Sequence, residues 1–339
     1  MTFSPDTDRV CGAYAITADD VAAAAHRLAG IAVRTPLLES SLLNRQLGFR
    51  LLIKAEPLQR TGSFKFRGAY NAVAQLDTPG RKRGVVAFSS GNHAQGVAAA
   101  AHMLDAPATI VMPSDAPAIK VENTRAWGAE VVLFDRSRED REMIGARIAR
   151  ETGATLVRPY DDSRVIAGQA TVGLEIVDQT RKAGVAASDV VVPCGGGGLS
   201  SGVAFAMKAE SPDTRVWTAE PAGYDDTALS LAAGRRTEAV ADMPTLCDAL
   251  LPPLPGELTF PILRDLAAGG LAVGDDAVKH AMAVAFAHFK LVVEPGGATA
   301  LAAVLDGELK EPGAVVVCVC SGGNVDRRLY AEILGATAP

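Results

Sequence analysis

The chain alternates between short, uniformly apolar runs and longer segments with apolar positions every third or fourth residue. Leu51-Leu52-Ile53-Lys54, Val85-Val86-Ala87-Phe88, Ala108–Met112, Glu130–Phe134, Thr155-Leu156-Val157, Val190-Val191-Val192, Val216-Trp217-Thr218 and Val315–Val319 read as strands. They are rich in β-branched residues and short enough to lie buried in a sheet. Val21–Leu28, Gly68–Leu76, Gly96–Leu104, Lys120–Trp127, Arg138–Thr152, Gly168–Thr180, Val203–Ala209, Asp275–Phe289 and Ala298–Leu305 read as helices, the first opened by the capping pattern Thr17-Ala18-Asp19-Asp20. Strands alternating with helices of this length predict an α/β protein with parallel sheets and right-handed crossovers. Thr35-Pro36-Leu37 leads into a loop, Pro79–Gly84 reads as a polar connection, and Leu251-Pro252-Pro253-Leu254-Pro255 breaks the alternation. The glycines cluster at strand-to-helix turns, where α/β proteins bind their ligands.

Composition narrows the class without choosing a function. At 339 residues the chain can form two domains, or one large domain carrying an insertion. A net charge of -6 argues against nucleic acid and anionic membrane as partners, while leaving room for a small anionic substrate in a local positive pocket. Met1–Val10 has no apolar core of the kind a secretory signal needs, and Ala314–Cys320 is too short to span a bilayer. Cys11, Cys194, Cys247, Cys318 and Cys320 lack metal-like spacing. The expected compartment is the cytoplasm.

Candidate chemistry begins at Thr61-Gly62-Ser63-Phe64-Lys65-Phe66-Arg67-Gly68-Ala69. A lysine in a partly desolvated pocket loses pKa because burial penalises its ammonium form. The neutral amine can then attack a carbonyl and form a Schiff base. Taken alone, the stretch is read as easily as a surface lysine opening a helix, with Ser63 as N-cap. Gly195-Gly196-Gly197-Gly198 follows a strand and precedes a helix, so bare backbone N–H groups can converge on a phosphate there. Glu220 stands where a dinucleotide site would want its acid, but Gly195-x-Gly197-x-x-Ser200 lacks the last glycine of that pattern. By itself the glycine run leaves both ligands open.

Two further stretches, Ser89-Ser90-Gly91-Asn92-His93 and Ser321-Gly322-Gly323-Asn324, complete a set of four ordered motifs. Together they resemble the fold-type II pyridoxal-phosphate enzymes, and within them the serine/threonine dehydratase and serine racemase family, from about Ile16 to Asp326. The resemblance implies a tryptophan-synthase-beta-like fold: two open, twisted, mostly parallel sheets flanked by helices. It implies a large cofactor domain from 1–77 and 161–339, a small mobile domain at 78–160, and a homodimer.

The same resemblance carries roles onto particular residues. Lys65 would hold pyridoxal 5'-phosphate beside Phe64, with Gly195, Gly196, Gly197, Gly198 and Leu199 on the phosphate, Asn92 on the phenolic oxygen and Ser321 facing the pyridine nitrogen. Ser89, Ser90, Gly91, Asn92 and His93 would bind the substrate carboxylate, with His93 read as an anchor of that turn. Ser90 departs from the alanine usual in threonine dehydratases and matches the acid/base of serine racemases. Glu220, Asp226 and the Tyr224 carbonyl match a divalent-cation site of the racemase-like branch, where all-oxygen ligation suits Mg2+ or Ca2+. Arg141, aligned on Glu151-Thr152-Gly153, falls near the distal end of a substrate, in a segment whose other arginines read as a solvated face. The implied activity is elimination of water from a small β-hydroxy α-amino acid, serine, threonine or 3-hydroxyaspartate, to a keto acid and ammonia. The alternative is an amino-acid racemase. With the match ending near Asp326, a C-terminal regulatory domain is not expected.

Overall fold

The computed structural model describes residues 14–336 except Ser90, Pro117, Ala241, Asp242, Glu308, Lys310 and Pro312. Cys11 and Ser90, singled out above, therefore lie outside the described residues. Among the described residues ten strands form two sheets: β1 (Leu37–Glu39), β2 (Arg50–Ala55), β3 (Val85–Phe88), β4 (Ala108–Pro113), β5 (Glu130–Phe134), β6 (Thr155–Leu156), β7 (Asp189–Pro193), β8 (Arg215–Pro221), β9 (Gly269–Val273) and β10 (Val315–Cys320). The larger sheet runs β1-β2-β10-β7-β8-β9 and the smaller β5-β4-β3-β6. Every described pairing is parallel except β1 against β2.

The central strands are buried on both faces, which is why they read as unbroken Val, Ile and Cys runs rather than as alternations. Cys318 and Cys320 are core thiols of β10. Two edges escaped the sequence pattern. β1 spans three residues, and β9, Gly-Gly-Leu-Ala-Val, has only two buried positions, Leu271 and Val273. The polar connection before β3 is a short helix, Thr78–Arg83, capped by Asp77, whose side chain accepts from Gly80 N. The helix expected over Asp275–Phe289 ends at Val284 and continues as a π turn to Phe289, closed by Lys290 at φ 56°. The proline stretch before residue 256 forms no helix or strand, as its missing N–H donors require.

Helix Ser163–Lys182 lies between helices Lys65–Ala74 and Gly198–Glu210. Its crossing with the first depends on paired glycines: a Cβ on Gly168 would come within 2.7 Å of Gly68 Cα. This contact fixes the helix that begins at Lys65 against helix Ser163–Lys182, whose Val172, Ile176 and Val177 pack with Val190 and Val192 of the large sheet. The other face of that helix, through Phe66, Ala69, Tyr70 and Val73, joins the core beneath the small sheet, with Val97, Ala98 and Ile110. Lys65 thus sits at the junction of the two sheets.

Candidate active site

Three of the four motifs are joined by hydrogen bonds. Ser63 bridges Gly322, Phe64 N donates to Ser321 O at 3.0 Å, and Gly323 N donates to Gly62 O at 2.9 Å. Asn324 Nδ2 donates to Thr61 O at 2.8 Å and to Asn92 Oδ1 at 2.7 Å. Segments more than two hundred residues apart are thereby locked around Lys65, the first residue of its helix.

Lys65 Nζ lies 5.1 Å from the centroid of the Phe64 ring and donates to the Pro159 carbonyl at 2.7 Å. The side chain as a whole is partly buried, with the ammonium at its inner end. Burial pulls it down to about 8, against the opposing charge of Glu294. A neutral carbonyl does little to hold that proton, so Lys65 gives it up more readily than an exposed lysine does.

The glycine run connects β7 to helix Gly198–Glu210, with Gly197 at φ 89° as its N-cap. Tyr160 packs flat on the run: any Cβ on Gly196 would overlap its ring, and one on Gly198 would lie 2.9 Å from Tyr160 Cα. A side chain there would fill the cradle. The hydroxyls of Ser201, in the first turn of that helix, and of Ser63 are buried without a partner. Leu199 is buried behind the cradle. The orphaned hydroxyls, bare backbone and Lys65 amine fit an anionic aldehyde such as pyridoxal phosphate.

Around the cleft, Ser89 N donates to Val111 O at 3.0 Å and its Oγ accepts from Gly91 N at 3.2 Å, shaping the turn that opens helix Asn92–Met103. His93 is buried, with Nε2 at 2.9 Å from Val157 O. Burial, then the Lys65 charge, holds its imidazolium down to about 3, so His93 is neutral and anchors the turn. Arg141 stacks at 5.7 Å over Phe88, next to Ser89, and Arg141 and Ser89 line a cavity of about 340 Å³ with Arg136, Glu139 and Glu142.

Glu220 and Asp226 are both buried. Glu220 accepts from Thr227 N at 3.0 Å and Ala228 N at 2.8 Å, capping helix Asp226–Ala233. Among the described residues neither buried oxygen of Asp226 has a hydrogen-bond partner. Burial pushes Asp226 up to about 7, and burial with the neighbouring Asp226 raises Glu220 well above the carboxylate range. Tyr224 lies in the intervening turn, its N donating to Pro221 O at 2.9 Å. Among the described residues no three His, Cys, Asp or Glu side chains cluster as a metal site. Two carboxylates plus a carbonyl would still suit a hard cation, whose charge answers those orphaned oxygens.

Two participants were not visible in the sequence. Glu294, ahead of Pro295 in an otherwise apolar stretch, is buried and accepts from Asn92 Nδ2 at 2.5 Å. Tyr160 belongs to Pro159-Tyr160-Asp161-Asp162, between β6 and helix Ser163–Lys182. An acid inside an apolar run was the available signal for Glu294.

A buried lysine with a lowered pKa, near a bare glycine run that follows β7 and opens a helix, is an arrangement found in cofactor-dependent α/β enzymes. The chain matches the family described as pyridoxal-phosphate dependent enzyme over residues 28–322, and it belongs to that family. It is 45% identical to the L-threo-3-hydroxyaspartate ammonia-lyase of a Pseudomonas species, covering 93% of this chain and 97% of that protein. A solved threonine deaminase, from the organism abbreviated T.th., superposes with a TM-score of 0.85 at 46% identity, covering 91% of this chain and 98% of that one. Maize serine racemase superposes with a TM-score of 0.88 at 40% identity, covering 94% and 97% respectively.

Proposed function

We propose that the chain is an ammonia-lyase that removes water from a small β-hydroxy α-amino acid and releases a keto acid and ammonia. The observation that carries this reading is Lys65, an amine brought down to about 8 and held only by a neutral carbonyl beside the glycine cradle. Pyridoxal phosphate, when bound, supplies the electron sink that makes the substrate α-proton acidic. Lys65 would hold the cofactor, and its Nζ would take the substrate α-proton. Gly195–Gly198 and Leu199 would hold the phosphate at the helix N-terminus. Asn92 would donate to the ring oxygen, and the uncharged Ser321 would face the ring nitrogen without stabilising its protonated form, which would favour prompt loss of the β-hydroxyl. The turn Ser89–His93 binds the substrate carboxylate, and the unit 78–160 closes over it. Reconstitution should give a visible absorption band absent from Lys65→Ala. Ammonia should appear from at least one of serine, threonine and the 3-hydroxyaspartate stereoisomers; release from none of them overturns the reading.

The preferred substrate is 3-hydroxyaspartate, with Arg141 pairing its second carboxylate, which would be costly to bury alone. Arg136, Arg138 and Arg147 have carboxylate partners in Asp115, Asp135 and Glu151, whereas Arg141 lies on Phe88 beside the carboxylate turn. In Arg141→Ala, hydroxyaspartate turnover should collapse while serine turnover holds; equal loss of both refutes the assignment. The likeness to maize serine racemase supports a second activity, racemisation with Ser90 as the opposing acid/base. Ser90→Ala should then abolish racemisation and spare elimination from the L-substrate. Mg2+ or Ca2+ at Glu220, Asp226 and the Tyr224 carbonyl would brace the loop behind the cradle. Assembly as a homodimer follows the family resemblance and is checked by light scattering.

A further inference from the structure

The cleft contains a relay of amides whose far end is a buried acid. Thr61 O can only accept, so Asn324 must present Nδ2 to it, and the second proton of that Nδ2 goes to Asn92 Oδ1. Asn92 is thereby oriented with Nδ2 toward Glu294 Oε1 at 2.5 Å. One of the two Asn92 N–H bonds is committed to Glu294, and the other remains for a ligand in the cleft. The polarity of that remaining N–H depends on what Glu294 offers: an ionised carboxylate accepts strongly and drains donor strength from the amide.

We propose that Glu294 is a positioning residue that acts through Asn92, setting the hydrogen bond Asn92 donates to the cofactor ring oxygen and coupling that bond to its own ionisation. The inference rests on the cofactor reading above. Glu294 is the residue before helix Pro295–Asp306, and its own N donates to Gly322 O at 3.0 Å, so its backbone is tied to the strand end that carries Ser321. Burial, then the charge of Asp248, pushes its carboxyl up to about 7, while the Asn92 hydrogen bond, Lys120 and Lys65 pull it down. Lys120 and Asp248 form an ion pair at 3.1 Å, so the net field on Glu294 from that pair is small. A carboxyl that changes charge near neutrality, one amide away from the cofactor, makes the ring oxygen sense pH at a distance.

The test is a pH titration of the visible absorption of the cofactor-loaded enzyme, beside its cofactor dissociation constant and thermal melting. The wild type should show an inflection near 7. Glu294→Gln, which keeps an acceptor for Asn92 but cannot ionise, should lose that inflection while melting as the wild type does. Glu294→Asp, which keeps the charge and shortens the reach, should retain an inflection and hold the cofactor several-fold more weakly. If Glu294→Gln does not fold, the aspartate variant decides alone: a wild-type titration and affinity there refute the proposal. A wild-type titration profile in Glu294→Gln also refutes it. Failure of the cofactor reading itself is distinct, since the wild type would then show no band that depends on Lys65.

Discussion

Helix Lys65–Ala74 carries two enclosed cations two residues apart, and their surroundings differ in kind. Residues at this spacing point to different sides of a helix. Arg67 is buried among Glu56, at 2.7 and 2.9 Å, and Glu175, at 2.6 and 3.0 Å, with Thr171 Oγ1 at 3.2 Å. Lys54 completes that cluster, donating to Glu175 at 2.6 Å, Gln179 at 3.0 Å and Thr35 O at 2.7 Å. Two positive and two negative groups balance there, and each has partners. Lys65 instead donates to a neutral carbonyl and feels the charge of Glu294 without a described ion pair. Glu220 and Asp226 make a third arrangement: Glu220 accepts from two backbone N–H groups, whereas among the described residues neither oxygen of the buried Asp226 has a hydrogen-bond partner. Buried charge satisfied from within the chain is architecture; buried charge left unsatisfied marks where a ligand belongs.

The contrast predicts which substitutions change function and which change stability. Lys65→Ala should lower turnover by about 10²–10⁴-fold or more, as expected for loss of a general base, with melting little changed. An unfolded Lys65→Ala would show that this lysine is architectural like its neighbour. Arg67→Ala should do the reverse, costing about 3–5 kcal/mol in denaturant melts because Glu56 and Glu175 are left buried without their cation. A loss under about 1 kcal/mol would break the comparison.

The acidic pair gives a smaller, conditional effect. A cation at about 100 times its dissociation constant should add about 2.7 kcal/mol to stability, an increment that disappears with chelator or in Asp226→Ala. Without the cation the Asp226 carboxyl is raised in the folded state from 3.8 to about 7. Its contribution is therefore full below about 3.8 and is lost as pH rises through 7. Melting of chelated protein should fall across that window, and Mg2+ or Ca2+ should flatten the fall. A melting temperature indifferent to chelator dismisses the site. The smallest effect belongs to Lys120→Ala: its pair with Asp248, whose side chain is 62% exposed, should be worth under about 1 kcal/mol and fade with salt.

The order of strands and helices was legible because burial on both faces of β7 and β10 leaves an unmistakable apolar run. β1 and β9 were not, since short or glycine-rich strands carry too little periodicity to register. The helix Lys65–Ala74 was placed three residues late because Lys65-Phe66-Arg67 looks mixed in sequence, whereas Arg67 is buried by its ion partners.

What the amino-acid sequence determined by itself is the set of chemical groups: a lysine among aromatics, a glycine cradle, an asparagine turn and a serine beyond the last strand. Their spacing along the chain also dictates an α/β architecture with turns at the strand ends, because those patterns follow from local propensity and burial. Only the tertiary structure decided which buried charges are paired. Lys54 and Lys65 are alike as letters, and nothing near either one in sequence says that Glu175 answers the first while the second donates to the Pro159 carbonyl. Glu294 likewise becomes part of the site only when the chain returns it to Asn92, 202 residues away. Electrostatic environment is a property of what lies within a few ångströms, and folding brings those neighbours from distant parts of the chain.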